Sequence, residues 1–146
     1  MYDEASVDMA EQPIQVRMIT VRTGRIVADI AIPDERFRTT TPKLAAFAEG
    51  QFPDLPHHAC VNHVGFAFGD VIEQTSVPHL LEHLVISMQV REKAIGDATF
   101  IGTTEWTDEA AGDARVEFGF KDDLVALRAF NEAVKFLNSA VLTCLA

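Results

Sequence analysis

Cysteine is scarce in this chain: two in 146 residues, Cys60 and Cys144. Two cysteines build no disulfide framework, so both read as reduced thiols. Cations are scarce as well. Twelve Lys and Arg against 22 Asp and Glu leave a formal charge of −10. Phosphate backbones select basic surfaces, so that balance argues against a nucleic-acid partner. Long apolar runs are missing, and nothing approaches the ~20 residues that a bilayer span needs. Met1 to Gln12 is acidic and has no apolar signal core. The expectation is a cytoplasmic protein with no membrane partner. Internal repeats and low-complexity tracts are lacking too.

What is present suits one folded domain. Hydrophobic residues make up 48% of the chain, and a chain of this length buries roughly 70% of its unfolded surface. Residues 1–12 read as a disordered tail, and 13–146 as a single α+β domain. Ile14 to Val21 and Ile26 to Ile32 are β-rich and flank Arg22-Thr23-Gly24-Arg25, the pattern of a hairpin turning at Gly24. Thr41-Pro42 resembles a cap and first-turn proline, leading into a short helix over Leu44 to Ala48 that Gly50 stops. Val64 to Phe68 is a candidate short strand. Thr75 or Ser76 caps a central helix running from about Pro78 to Glu92, and Gly96 closes that region. Thr99 to Ile101 and Arg115 to Phe120 are further strands, joined by the acidic connection Thr107 to Asp113. Asp122 or Asp123 then caps a last helix, whose stripe Leu127, Phe130, Val134, Leu137 and Val141 has helical spacing. The order is roughly ββα-(β)-αββα. It predicts a mostly antiparallel sheet with helices packed on one face. Edge strands of so small a sheet need a cover, and homo-oligomerisation is one way to supply it.

The central helix carries the chemistry. His79-Leu80-Leu81-Glu82-His83 places two imidazoles at i and i+4, about 40° apart on the helical wheel. Leu80, Leu81, Leu84, Val85 and Met88 gather on the other side. The H-x-x-E-H arrangement is that of the inverted zincins, where two imidazoles hold a metal and the carboxylate is the base that works on water. His79 and His83 are therefore candidate ligands of zinc or another divalent metal, and Glu82 the candidate general base. The competing reading makes His79, Glu82 and His83 the solvated face of an amphipathic helix. A third ligand is open among Glu117, His58 and Cys60, since carboxylate, imidazole and thiolate all suit zinc. His57, His58 and His63 also fit an ordinary polar loop, and Cys60 a small buried hydrophobe. Gln89 and Thr104 are candidate substrate contacts.

Several of these residues recur in a known pattern. Leu55, His58 and Cys60 fit L-x-x-H-x-C; Glu73, Thr75, His79, Glu82 and His83 fit E-G-T-x-x-x-H-x-x-E-H, with Gln89 at the helix end. Gly102 and Thr104 fit the G-x-T-R turn, and Val116, Phe118 and Phe120 the strand after it. From Phe52 onward the chain resembles the N-terminal domain of cyanophycin synthetase, an enzyme that polymerises aspartate and arginine. The ATP-grasp and Mur-ligase-like domains of that enzyme have no counterpart in these 146 residues, so the resemblance is to a stand-alone homologue and does not imply polymerisation. It implies a polymer-binding module, in some members also a metallohydrolase that cuts the polymer. The chain departs from the pattern at Gln74, Ser87, Glu105 and Gly119, and its Gly-Gly-Phe loop is reduced to Val64-Gly65-Phe66.

The expectation is thus a metal-dependent hydrolase of peptide-like amides, acting on a small peptide-like or cationic substrate. The alternative is a binding module that keeps the fold without turnover. S-ribosylhomocysteine lyase also uses an H-x-x-E-H helix, but its later cysteine-bearing loop has no counterpart here.

Overall fold

The computed structural model describes residues 12–93 and 100–146. The expected tail over 1–12, the stop at Gly96 and the strand start at Thr99 fall wholly or partly outside those residues. Strands β1 (Gln15–Arg22) and β2 (Arg25–Ala31) form the expected hairpin. Gly24 takes φ +76° in its two-residue turn, a conformation that side-chain-bearing residues rarely adopt. β3 (Gly102–Asp108) and β4 (Asp113–Gly119) form a second hairpin, and the sheet order is β1-β2-β4-β3, antiparallel throughout.

Period-two burial decides which face of the sheet holds the core. Ile26, Ala28 and Ile30 of β2 stand opposite Phe118, Val116 and Ala114 of β4, and all six are buried. The alternate residues form the outer face, where Arg115 pairs with Asp29 at 2.8 Å and Arg25 with Glu117 at 3.3 Å.

Helix α1 (Pro42–Gln51) starts at Thr41, whose hydroxyl accepts from the Leu44 N–H, with Pro42 at the first position. Helix α2 (Val77–Lys93) begins where the Ser76 hydroxyl accepts from the His79 N–H. Helix α3 (Asp123–Cys144) is capped by the Asp122 carboxylate, and its stripe from Phe130 to Val141 is buried as the spacing predicts. α2 lies across β3 and β4, α3 packs on α2 and reaches β2, and α1 packs on α3. The helices therefore share one face of the sheet.

Several local readings change. Gly50 does not stop α1, which runs on to Gln51. The strand expected by Ile101 begins at Gly102 instead. Val64 to Phe68 is no strand. It belongs to a tight loop in which the Asn62 side chain accepts from the Val64 and Gly65 N–H groups and donates to the Cys60 and Ala67 carbonyls. Side-chain bonds of that kind compete with strand pairing. The β3–β4 hairpin is also longer than Thr107 to Asp113 suggested as a connection. Acidic Asp108 still pairs, with Asp113, and the turn is confined to residues 109–112, with Gly112 at φ +82°.

Candidate metal centre

Four structural segments bring the site together. Helix α2 supplies His79, Glu82 and His83; the turn Leu55–His57 and the loop after it supply His58 and Cys60. β3 supplies Gly102 and Thr104. Asp54 lies just ahead of the turn. The solvated-helix reading is overturned: Glu82, His83 and Ser87 are 4%, 2% and 2% exposed. A polar helix face buried this deeply needs partners, and each of these groups has one.

Cys60, His79 and His83 form a cluster whose ligand atoms all lie within 4.8 Å of one another, so the three could hold a metal ion. The hydrogen-bond distances accommodate the tautomers that ligate a metal. His58 Nε2 lies 2.8 Å from Asp54 Oδ2; in the single-proton tautomer that donates there, Nδ1 is an acceptor. That Nδ1 is 3.0 Å from His83 Nδ1, which must then carry the proton. His83 Nε2 is left with a bare lone pair. On the other ligand, His79 Nδ1 lies 2.9 Å from Thr75 Oγ1; in the tautomer where Nδ1 donates there, Nε2 is free, and it sits 3.5 Å from the Cys60 sulfur. In these tautomers both imidazoles direct an Nε2 lone pair inward, oriented by the partner on the opposite nitrogen, as metal-ligating histidines are. The soft thiol and two imidazoles are a donor set that suits zinc.

Phe68, fully buried, stacks on His83 with ring centroids 4.0 Å apart and meets His79 edge-on at 4.9 Å. The two rings are therefore held by packing as well as by hydrogen bonds.

Glu82 is a buried carboxyl beside the cluster. Thr104 Oγ1 donates to its Oε1 at 2.7 Å, and Oε2 lies 3.9 Å from His83 Nε2. Burial raises its carboxyl pKa to about 7, against the lowering effect of the Thr104 bond. Burial also lowers His83 to about 2, helped by the neighbouring His79 and His58. It lowers His79 and raises the Cys60 thiol. The neutral forms of both imidazoles are the ligating forms; the thiol would lose its proton to the metal. Asp54 moves the opposite way: burial pushes it up, but bonds from His58 and Ser87 hold it below its ordinary value.

Above these groups lies a cleft of about 870 Å³. Helix α2 forms its floor; residues 57–61 form one wall and residues 100–106 the other.

The remaining expected site residues sit elsewhere. Glu117 points to the outer face of the sheet, ion-paired with Arg25, so period-two alternation removes it from the third-ligand position. His58 stands one layer behind the cluster and orients His83, which leaves Cys60 as the third member. Gln89 is 1% exposed and donates to the Gly119 carbonyl, away from the cleft. Thr104 lines the cleft, but its hydroxyl is engaged with Glu82. His57 lies on the rim, and His63 is exposed on the loop.

Four contributors were given no role in the site from the sequence: Asp54, Ser87, Thr75 and Gly102. Three carried a faint signal, each lying four residues from a site histidine: Asp54 before His58, Thr75 before His79, Ser87 after His83. Gly102 was matched only as part of the G-x-T-R turn. Its role is steric, since a Cβ there would stand 2.5 Å from Glu82 Oε2.

A four-stranded antiparallel sheet backed by helices, with a His/His/Cys cluster beside a buried carboxylate, defines an α+β domain with a candidate metal centre. The family model of the cyanophycin synthase-like N-terminal domain matches residues 25–142, and the chain belongs to that family. The match begins at the first residue of β2 and leaves β1 outside it. No curated protein matches the chain.

Proposed function

We propose that this protein is a zinc-dependent hydrolase of peptide-like amides. His79, His83 and Cys60 hold the metal and Glu82 is the general base. One observation carries the reading: three inward-facing donors and a carboxylate with one free oxygen converge on the floor of an open cleft. When bound, zinc supplies Lewis acidity toward a carbonyl and makes water acidic near neutral pH. The residues do the rest. Glu82 Oε2 accepts a proton and delivers it to the departing amine, while Thr104 fixes the other oxygen. Asp54 and His58 keep His83 in the ligating tautomer.

The cleft lining includes Glu82 and Glu105 and no lysine or arginine. This favours a neutral or cationic peptide-like substrate. The absence of a membrane-length apolar helix among the described residues and the free thiols of Cys60 and Cys144 accord with a cytoplasmic location. Exposed Val16, Met18, Ile19 and Val21 on edge strand β1 favour pairing of two copies.

The test is elemental analysis of protein purified without an affinity tag, followed by turnover assays. Stoichiometric zinc is expected in the wild type and lost in His79→Ala. Zinc-loaded protein should cleave Asp-Arg dipeptides or short capped peptides, and Glu82→Gln should keep the metal while losing roughly 100-fold or more in rate. Protein that takes up no metal sinks the reading. Metal and peptide binding with no turnover by either form selects the non-catalytic binding module.

A further inference from the structure

The wall of the cleft opposite Cys60 is the free edge of the sheet. β3 is a terminal strand, paired on one side by β4 and on the other by no strand among the described residues. Which of its backbone groups face the cleft follows from the register. The Gly119 N–H donates to the Ile101 carbonyl at 2.8 Å, so these residues form a hydrogen-bonded pair. Antiparallel pairs alternate. Thr103–Glu117 and Glu105–Arg115 are then hydrogen-bonded pairs too, and Gly102–Phe118 and Thr104–Val116 are not. The N–H and C=O groups of Gly102 and Thr104 therefore point away from β4, towards the cleft.

The inner face of those same two residues meets Glu82. Thr104 bonds to Oε1, and Gly102 leaves room for the carboxylate. One short piece of strand thus presents backbone groups that no strand among the described residues pairs, beside the proposed base. The complement of such a row is another extended backbone.

We propose that the ligand of this cleft is an extended, neutral or basic peptide segment that adds to the sheet as a fifth strand. It pairs with the backbone of Gly102 and Thr104 and lays one amide over Glu82 and the His79–His83 pair. The wall from Phe100 to Trp106 measures roughly 20 Å at ~3.4 Å per residue, room for about six extended residues. Backbone pairing supplies the affinity, and side chains alternate between the helix floor and the outer face. The proposal rests on the hydrolase reading for the fate of the amide over Glu82, but not for the binding itself.

The experiment records backbone amide spectra and hydrogen exchange of metal-stripped wild type and zinc-loaded Glu82→Gln. Each is titrated with a mixed library of capped hexapeptides lacking Asp and Glu. The amides of Gly102 and Thr104 should shift and exchange at least roughly tenfold more slowly. Those of Thr103 and Glu105, already bonded to β4, should hold steady. Single N-methylation walked along the best-retained peptide should then cost roughly tenfold in affinity at alternate positions, because every second N–H faces β3. Failure of the whole library to perturb Gly102 and Thr104 overturns the proposal, as does an N-methyl scan without a two-residue period. Edge protection with no cleavage by zinc-loaded wild type supports strand addition and rejects the hydrolase. Cleavage without edge protection does the reverse.

Discussion

At the scale of single residues, the site is a set of buried polar groups that each satisfy another. Glu82 shows the cost. Its folded pKa of about 7 lies above the ordinary 4.5, so between those pH values the unfolded chain is ionised while the folded carboxyl is neutral. Stability therefore falls as pH rises through that window. His83 acts in the opposite sense: with a folded pKa of about 2 against 6.5, its contribution is present above pH 6.5 and fades below it. The two slopes oppose each other between pH 4.5 and 6.5, so comparison with Glu82→Gln isolates the carboxylate. Urea unfolding of metal-free protein should find Glu82→Gln more stable than wild type by on the order of 2–3 kcal/mol at pH 8 and nearly equal at pH 4. His58 tests the other half of the site. In His58→Ala the His83 tautomer is no longer set, and zinc affinity measured by chelator competition should fall roughly 10- to 100-fold. Cobalt-loaded Cys60→Ala should lack the sulfur-to-metal charge-transfer band that the wild type shows; equal spectra would remove Cys60 from the ligand set.

At the scale of elements, helix α2 and strand β3 work as a pair whose spacing glycine sets. A methyl group on Gly102 collides with the Glu82 carboxylate, so Gly102→Ala should displace the base while leaving the ligands on their helix. Turnover is expected to drop roughly tenfold or more with zinc still bound at wild-type stoichiometry. Loss of metal and activity together would show that β3 supports the whole cluster instead. The cap at Thr41 could be read from the chain, and those at Ser76 and Asp122 narrowed to two residues each, because capping depends on a few adjacent residues; the stop at Gly50 could not, since that residue lies inside α1. The loop from Cys60 to Phe68 could not. Its apolar residues suggested a strand, but the Asn62 side chain occupies the backbone groups that a strand would need, and Val61, Val64 and Phe66 remain exposed.

At the scale of the molecule, the two ends of the fold are joined by one side chain. Asn138 of α3 accepts from the Ile14 N–H at 2.7 Å and donates to the Ile14 carbonyl at 3.3 Å, so a buried amide continues the backbone pairing of β1 onto the last helix. Replacing it leaves the Ile14 N–H buried and unpaired. Asn138→Ala should cost about 1–3 kcal/mol in denaturant unfolding, with zinc affinity unchanged because the site lies elsewhere.

The α+β class, the ββα…αββα order and the pairing of His79 with His83 were all determined by the chain itself, because period 2, period 3.6 and capping are local properties. The choice among Glu117, His58 and Cys60 was not local. Glu117 is on the outer side of a strand whose inner side is core, His58 stands behind His83, and only Cys60 reaches the inward nitrogens. Those distinctions depend on which sheet face the helices cover and on how a loop 19 residues before His79 folds back over it. Such contacts join residues distant in sequence, and only tertiary packing brings them together.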